Sequence, residues 1–206
     1  MSQYQILFLL GIAGHILCGI CDCLLIFLPN GRFSFAAMKD NEKLSEIFRD
    51  APLSYSIWSI LLGCISMSLS VFGYFGIYAW MSQYSAVHAG IILVSIVMIY
   101  IFGISHHILC GIPEWLYIRM NRTEEAREII LELFKKTSLT MIVCYLGFLI
   151  FGVTLCLAVV TGVTSLPLWG CIFNITLFMV ILLPMHVPGA GNWAGAFMFL
   201  GLLFLI

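Results

Sequence analysis

The chain is short of charge. Nine Lys and Arg and ten Asp and Glu serve 206 residues, and the net charge is −1. Soluble domains carry roughly 25% charged residues; here 9% are charged and 62% hydrophobic. So few charges do not cover the surface of a water-soluble globule. That excludes a cytosolic enzyme, a secreted disulfide scaffold and a disordered chain. With no basic field, it also excludes a nucleic-acid binder. No Lys or Arg interrupts a long apolar run, which excludes a retinal Schiff base and a voltage sensor. Gly-x-Ser-x-Gly, His-Glu-x-x-His and phosphate-loop motifs are lacking. No run is polar enough for a wide aqueous pore. The apolar runs are continuous rather than alternating, which disfavours a transmembrane β-barrel.

What remains is an all-α polytopic membrane protein. A membrane helix needs about 20 mostly apolar residues, and six such runs are present, at 4–28, 54–80, 87–118, 138–161, 166–184 and 191–206. The first reads as a true span rather than a cleaved leader, because no cation precedes it and it carries His15 and Asp22. Every basic residue falls in two loops, Arg32 to Arg49 and Arg119 to Lys136. If six spans alternate, both loops lie on one side. The positive-inside rule makes that side cytoplasmic and puts both termini outside. The eight cysteines all sit in apolar runs, so an outer disulfide framework is not expected.

An internal repeat organises the chain. Gly11-Ile-Ala-Gly-His-Ile-Leu-Cys-Gly-Ile-Cys-Asp-Cys-Leu-Leu-Ile26 matches Gly103-Ile-Ser-His-His-Ile-Leu-Cys-Gly-Ile-Pro-Glu-Trp-Leu-Tyr-Ile118 at ten of sixteen positions. The following loops echo each other, Leu44-Ser-Glu-Ile-Phe-Arg49 against Ile130-Leu-Glu-Leu-Phe-Lys135. This divides the chain into a repeat 1–86, a repeat 87–163 and a remainder 164–206. Both repeats run in the same direction, a parallel arrangement. Leu44, Ile47, Phe48 and Ala51, and then Ile130, Leu133 and Phe134, form apolar helical stripes, which we expect to lie in the membrane interface. Glu132 and Lys136 are spaced to pair on one helix face. Trp80, Tyr84, Trp115 and Tyr117 read as interface belts.

The repeat also carries chemistry. Asp22 and Glu114 are the two acids outside the charged loops, and they occupy the same repeat position. Buried carboxylates are costly in a bilayer and mark functional sites. Placed around one axis, they would form a pair that shares a proton. His15 and His107 lie seven residues further in, two turns or about 10 Å away. With Cys18 and Cys110 at i+3 they form a second layer. Three readings of that layer stand. Two His-x-x-Cys pairs suit zinc or another transition metal. His15 and His107 could hold haem b between helices. Or the histidines are hydrogen-bonded packing. His186 lies in Leu183-Pro-Met-His-Val-Pro-Gly-Ala-Gly-Asn-Trp193, which two prolines and two glycines keep from being a regular helix. It would join Asn192, Asp22 and Glu114 around one cytoplasm-facing cavity. His106, about 100° round the helix from His107, is not expected to share its face.

Cys18-Gly-Ile-Cys-Asp-Cys-Leu-Leu25, Ser54-Tyr-Ser-Ile-Trp-Ser-Ile-Leu-Leu-Gly63 and Gly73-Tyr-Phe-Gly-Ile-Tyr78 resemble a group of small multi-span bacterial membrane proteins of unknown function. The resemblance implies a bacterial inner-membrane location and no activity. The residues themselves point to an intramembrane enzyme acting on a lipid-like or amphiphilic small molecule. Asp22, Glu114 and His186 would be catalytic, and His15 and His107 would bind metal or substrate. A haem-binding electron-transfer or sensor protein and a proton-coupled transporter are the alternatives.

Overall fold

The computed structural model describes residues 1–206. Helix α1 (Gln3–Ile26) starts on a capping box: the Gln5 amide donates to Ser2 Oγ at 3.2 Å and the Ser2 amide to Gln5 Oε1 at 2.9 Å. It ends in a two-stranded hairpin, β1 (Phe27–Leu28) and β2 (Gly31–Arg32). A 3₁₀ turn at Ala37–Lys39 leads into α2 (Asn41–Phe48), capped by Asp40. Then come α3 (Leu53–Met81), α4 (Ala86–Arg119) and α5 (Glu124–Val160). The turn between α4 and α5 puts two non-glycine residues, Asn121 and Arg122, at positive φ. Arg122 is held there because its guanidinium donates to the Phe48 and Arg49 carbonyls at 2.8 and 3.0 Å.

Four helices, α1, α3, α4 and α5, are long and apolar enough to cross a membrane. At 1.5 Å per residue, α5 is about 55 Å long, well beyond the roughly 30 Å hydrocarbon layer. Its charged first third therefore projects from the apolar body. Sequence repetition suggested a separate amphipathic helix here, as α2 is in the first loop. Instead the second one is continuous with its return span. The run 166–184 is not one helix either. A 3₁₀ segment, Leu168–Ile172, is followed by the eight-residue α6 (Ile175–Leu182), whose cap is Asn174. Helix α7 (Ala190–Leu205) follows a left-handed Gly189 at φ 65°. The interruption at 183–189 falls where the prolines and glycines placed it.

The segments close a ring in chain order. α1 packs on α3, α3 on α4, α4 on α5, α5 on α6, α6 on α7, and α7 back on α1, the α5–α6 joint being the thinnest. α1 and α4 flank α3 on either side and scarcely touch each other. Close approach at α1–α3 depends on small residues: a Cβ on Gly11 would lie 3.1 Å from Gly73 Cα, and one on Gly14 2.8 Å from Ser70 Cα. At the end away from the charged loops the ring is filled by a core that includes Tyr74, Tyr100, Phe151 and Phe199. At the charged end, Leu44, Ile47, Phe48 and Ala51 bury themselves against Tyr117, Ala126 and Ile130. Both charged loops thus form one cap. The α2 stripe faces this cap, not the membrane interface, because α4 and α5 offer an apolar surface to cover. Trp80 and Tyr117, expected in interface belts, are buried instead, Tyr117 under the cap and Trp80 in the core at the other end. Glu132 and Lys136 do pair across one turn of α5.

Candidate functional site

Between the capped end and the filled core, the ring encloses a cavity of about 770 Å³. Fifteen of its 27 lining residues are hydrophobic, the composition of a small-molecule site with a few convergent polar groups. Asp22, Glu114, His186 and Asn192 all line it, as do Cys18, Cys110 and His107. His106 lines it too; the cavity is wide enough to take both neighbours, although their side chains leave α4 in different directions. The deep end is apolar, with Met67, Gly103, Cys144 and Phe148. Arg32, Phe33 and Phe35 from the hairpin side and the 183–191 segment form the mouth.

The polar groups connect in one chain. The Tyr74 hydroxyl lies 3.1 Å from His15 Nε2, and His15 Nδ1 3.1 Å from Asn192 Oδ1. Asn192 Nδ2 donates to Asp22 Oδ2 at 2.8 Å. Asp22 Oδ1 lies 3.4 Å from His107 Nδ1, and His107 Nε2 lies 3.0 Å from the Ser59 carbonyl. A carbonyl only accepts, so His107 Nε2 carries hydrogen. His107 Nδ1 and Asp22 Oδ1 thus face each other at 3.4 Å. In a neutral His15, Nδ1 donates to Asn192 and Nε2 accepts from Tyr74. Every donor on that branch is directed toward Asp22.

Sequence folds these groups together by local means. Ser59 is fully buried on α3, and its Oγ donates to the Cys21 carbonyl at 3.0 Å. It therefore ties α1, next to Asp22, to α4 through His107. Two glycines make room for the rings: a Cβ on Gly63 would overlap His107, and one on Gly195 would lie 2.5 Å from His15 Cε1. Gly189 packs on Asp22, where a Cβ would come within 2.6 Å of Oδ2. Asp22 thus sits at the amino end of α7, which favours an anion. These factors offset the cost of a carboxylate in the bilayer.

Glu114 is treated differently. It is 4% exposed and makes no hydrogen bond or ion pair with any protein group. Its oxygens are not sealed in the core, so its carboxyl opens into the cavity. Pro113 precedes it inside α4 and leaves the Leu109 carbonyl without its helical donor. The symmetric Asp22–Glu114 pair suggested by the repeat is not what forms. Asp22 pairs instead with the histidine of the other repeat.

The His15, Cys18, His107, Cys110 set does not converge on a point. No group of three or more His, Cys, Asp and Glu side chains is arranged to hold a metal. Cys110 Sγ contacts His106 Nε2 at 3.5 Å. Both ring nitrogens of His15 and of His107 already have protein partners, with Asn192 and Asp22 between the two rings. That donor arrangement does not fit a metal quartet or a bis-histidine haem. His186 is exposed at the mouth with φ 54°, and its carbonyl accepts from the Arg32 guanidinium. His88 lies in the first turn of α4 against Ser85, 2.9 Å from its hydroxyl. Cys171 falls in the 3₁₀ segment near the Cys156 carbonyl. Ser59, Tyr74, Gly63 and Gly195 belong to the site and were not singled out from the sequence. Ser59, Gly63 and Tyr74 fall within segments that carry the resemblance, but nothing there marked them as site residues.

The fold and site define an all-α membrane protein with a buried histidine–carboxylate cavity. Over residues 1–204 the chain matches the model of a family of unknown function, DUF6796, and it belongs to that family. No curated protein and no solved structure matches it.

Proposed function

We propose that this is an intramembrane enzyme that carries out proton transfer on an amphiphilic small molecule. The observation that carries the reading is the Asp22–His107 pair, 3.4 Å apart, facing an apolar cavity beside the unpartnered Glu114. Both His107 nitrogens are engaged, so His107 is a positioning group and countercharge. Asp22 is the base, held by Asn192 and His107. Glu114 has no cation beside it and is cheapest to bury with its proton, so it is the acid. Asp22 removes a proton from the bound molecule and Glu114 returns one; exchange with water in the open cavity then releases the proton from Asp22 and restores that of Glu114, and no oxidant or reductant is required. His15 orients Asn192, and His186 shapes the mouth. In this reading the 3₁₀–α6 segment and α7 complete six crossings, the two repeats are parallel, and the charged cap faces the cytoplasm. The support is the single capped end, where all basic loops meet.

The test is solvent exchange. Purified protein in lipid nanodiscs is incubated in deuterated water with a native membrane lipid extract, and the amphiphiles are analysed by mass spectrometry. Wild-type protein should place deuterium in one class of amphiphile, whereas Asp22→Asn and Glu114→Gln should not. Equal incorporation by wild type and both variants, or none by wild type, overturns the reading.

A further inference from the structure

We infer that the cavity selects a single-chain amphiphile with an anionic head group, bound at Arg32, with its apolar chain running toward Phe148. This rests on the amphiphile reading of the cavity and adds the identity of the head. Among the 27 residues that line the cavity, Arg32 is the one Lys or Arg. Three of the eight other cations are paired with carboxylates, Arg49 with Glu46 and Asp50, Arg127 with Glu124, and Lys136 with Glu132, and none of the eight lines the cavity. Arg32 has no carboxylate partner. Its guanidinium lies over the Phe27 ring at 5.7 Å and donates to the His186 carbonyl. Those contacts fix its position and leave further N–H groups free for a carboxylate or phosphate.

The position of the charges along the cavity sets the ligand's direction. Arg32 and His186 are at the mouth, and Glu114 and then Asp22 and His107 come next along the helices. Met67, Gly103 and Phe148 form the far end. From Glu114 to Gly103 is eleven residues of α4, about 16 Å. A ligand with its head at Arg32 therefore threads its chain past the acid and the base into an apolar pocket. The volume falls within the range that encloses one small ligand. An anion is not drawn deeper, because the Asp22 carboxylate lies there and no further Lys or Arg lines the cavity.

Binding of dodecyl phosphate, dodecyltrimethylammonium and dodecanol to the full chain in nanodiscs tests this, read by quenching of intrinsic tryptophan fluorescence. Dodecyl phosphate should bind about tenfold more tightly than the other two, the scale of one charge-assisted hydrogen-bonding site. Arg32→Gln should remove that preference while all three still bind. Arg32→Lys should keep it, which separates charge from any effect on folding. A preference for the ammonium compound, or a phosphate preference that survives Arg32→Gln, overturns the inference and leaves the amphiphile cavity standing. Displacement of dodecyl phosphate by millimolar inorganic phosphate overturns it in favour of a free anion. If none of the three binds, the amphiphile reading itself falls.

Discussion

The two repeats begin with nearly the same sixteen residues and end in different surroundings. In the first, His15 and Asp22 are both covered by α7, which supplies Asn192 to bridge them. In the second, α3 covers His107, with Gly63 against its ring and the Ser59 carbonyl on its Nε2, but no side chain bridges His107 to Glu114. His107 reaches across to Asp22, and Glu114 is left facing an open cavity. The element that breaks the symmetry is α7, packed on α1 alone among the repeat-opening helices. Like sequence thus ends in unlike settings: Asp22 is held by Asn192 and His107, and Glu114 has no protein partner.

The sharpest way to break this contrast is Asp22→Asn. It removes the charge that joins the repeats, and proton transfer should fall by about 10²–10⁴, the usual contribution of a general base. Deuterium incorporation measures it. Gly63→Ala should come next. The added methyl group collides with the His107 ring, an overpacking cost of about 1–3 kcal/mol, with a fall in both melting temperature and proton transfer. Gly195→Ala imposes a similar collision on His15 but leaves the Asp22–His107 contact in place. It should lower the melting temperature and spare most of the activity.

A pair of milder substitutions sharpens the comparison through stability alone. Asn192→Ala leaves both His15 and Asp22 short of a partner and should destabilise by about 1–3 kcal/mol. Glu114→Gln breaks no bond within the protein and should change stability by no more than about 0.5 kcal/mol, although it stops proton transfer. Thermal unfolding in detergent compares them; equal losses would show that the two acids are not treated differently. The smallest effect lies in the cap. A hydrogen bond from Asn30, 2.8 Å long, holds the exposed Asp50 carboxyl below the ordinary carboxylate range. A carboxyl lowered on folding adds stability above its unfolded pKa, and this is lost as pH falls through the folded value. Asn30→Ala should therefore lower the melting temperature slightly at neutral pH, and the difference from wild type should vanish as pH falls through the carboxylate range.

Much of this was legible before any coordinates. Continuous apolar runs gave the four long helices, and Pro184 to Gly191 gave the break between α6 and α7. The rarity of acids in those runs pointed to Asp22 and Glu114. Together with His186 and Asn192 they do line one cavity. What stayed hidden depends on which helices meet. Periodicity tells which residues share a face of one helix and not which neighbour that face finds. Equal repeat positions therefore suggested an Asp22–Glu114 pair and a four-ligand metal layer, whereas the ring keeps α1 and α4 apart except at Asp22 and His107. Ser59 acts through its carbonyl, which no side-chain pattern reveals. Gly195 looks like any small residue of a membrane helix until His15 is seen against it. Arg32 read as one topology-setting cation among nine. Its place at the mouth follows from a hairpin whose strands have two residues each, too short to show as alternation.

A proton shared between Asp22 of one repeat and His107 of the other would join the two halves of the site. Nitrogen-15 NMR of histidine-labelled protein in bilayers observes this directly, with a His107→Gln variant assigning the signals. The account predicts a His107 ring with a protonated Nε2 and an Nδ1 resonance that shifts when Asp22 is replaced by Asn. A His107 signal unchanged by Asp22→Asn would contradict it.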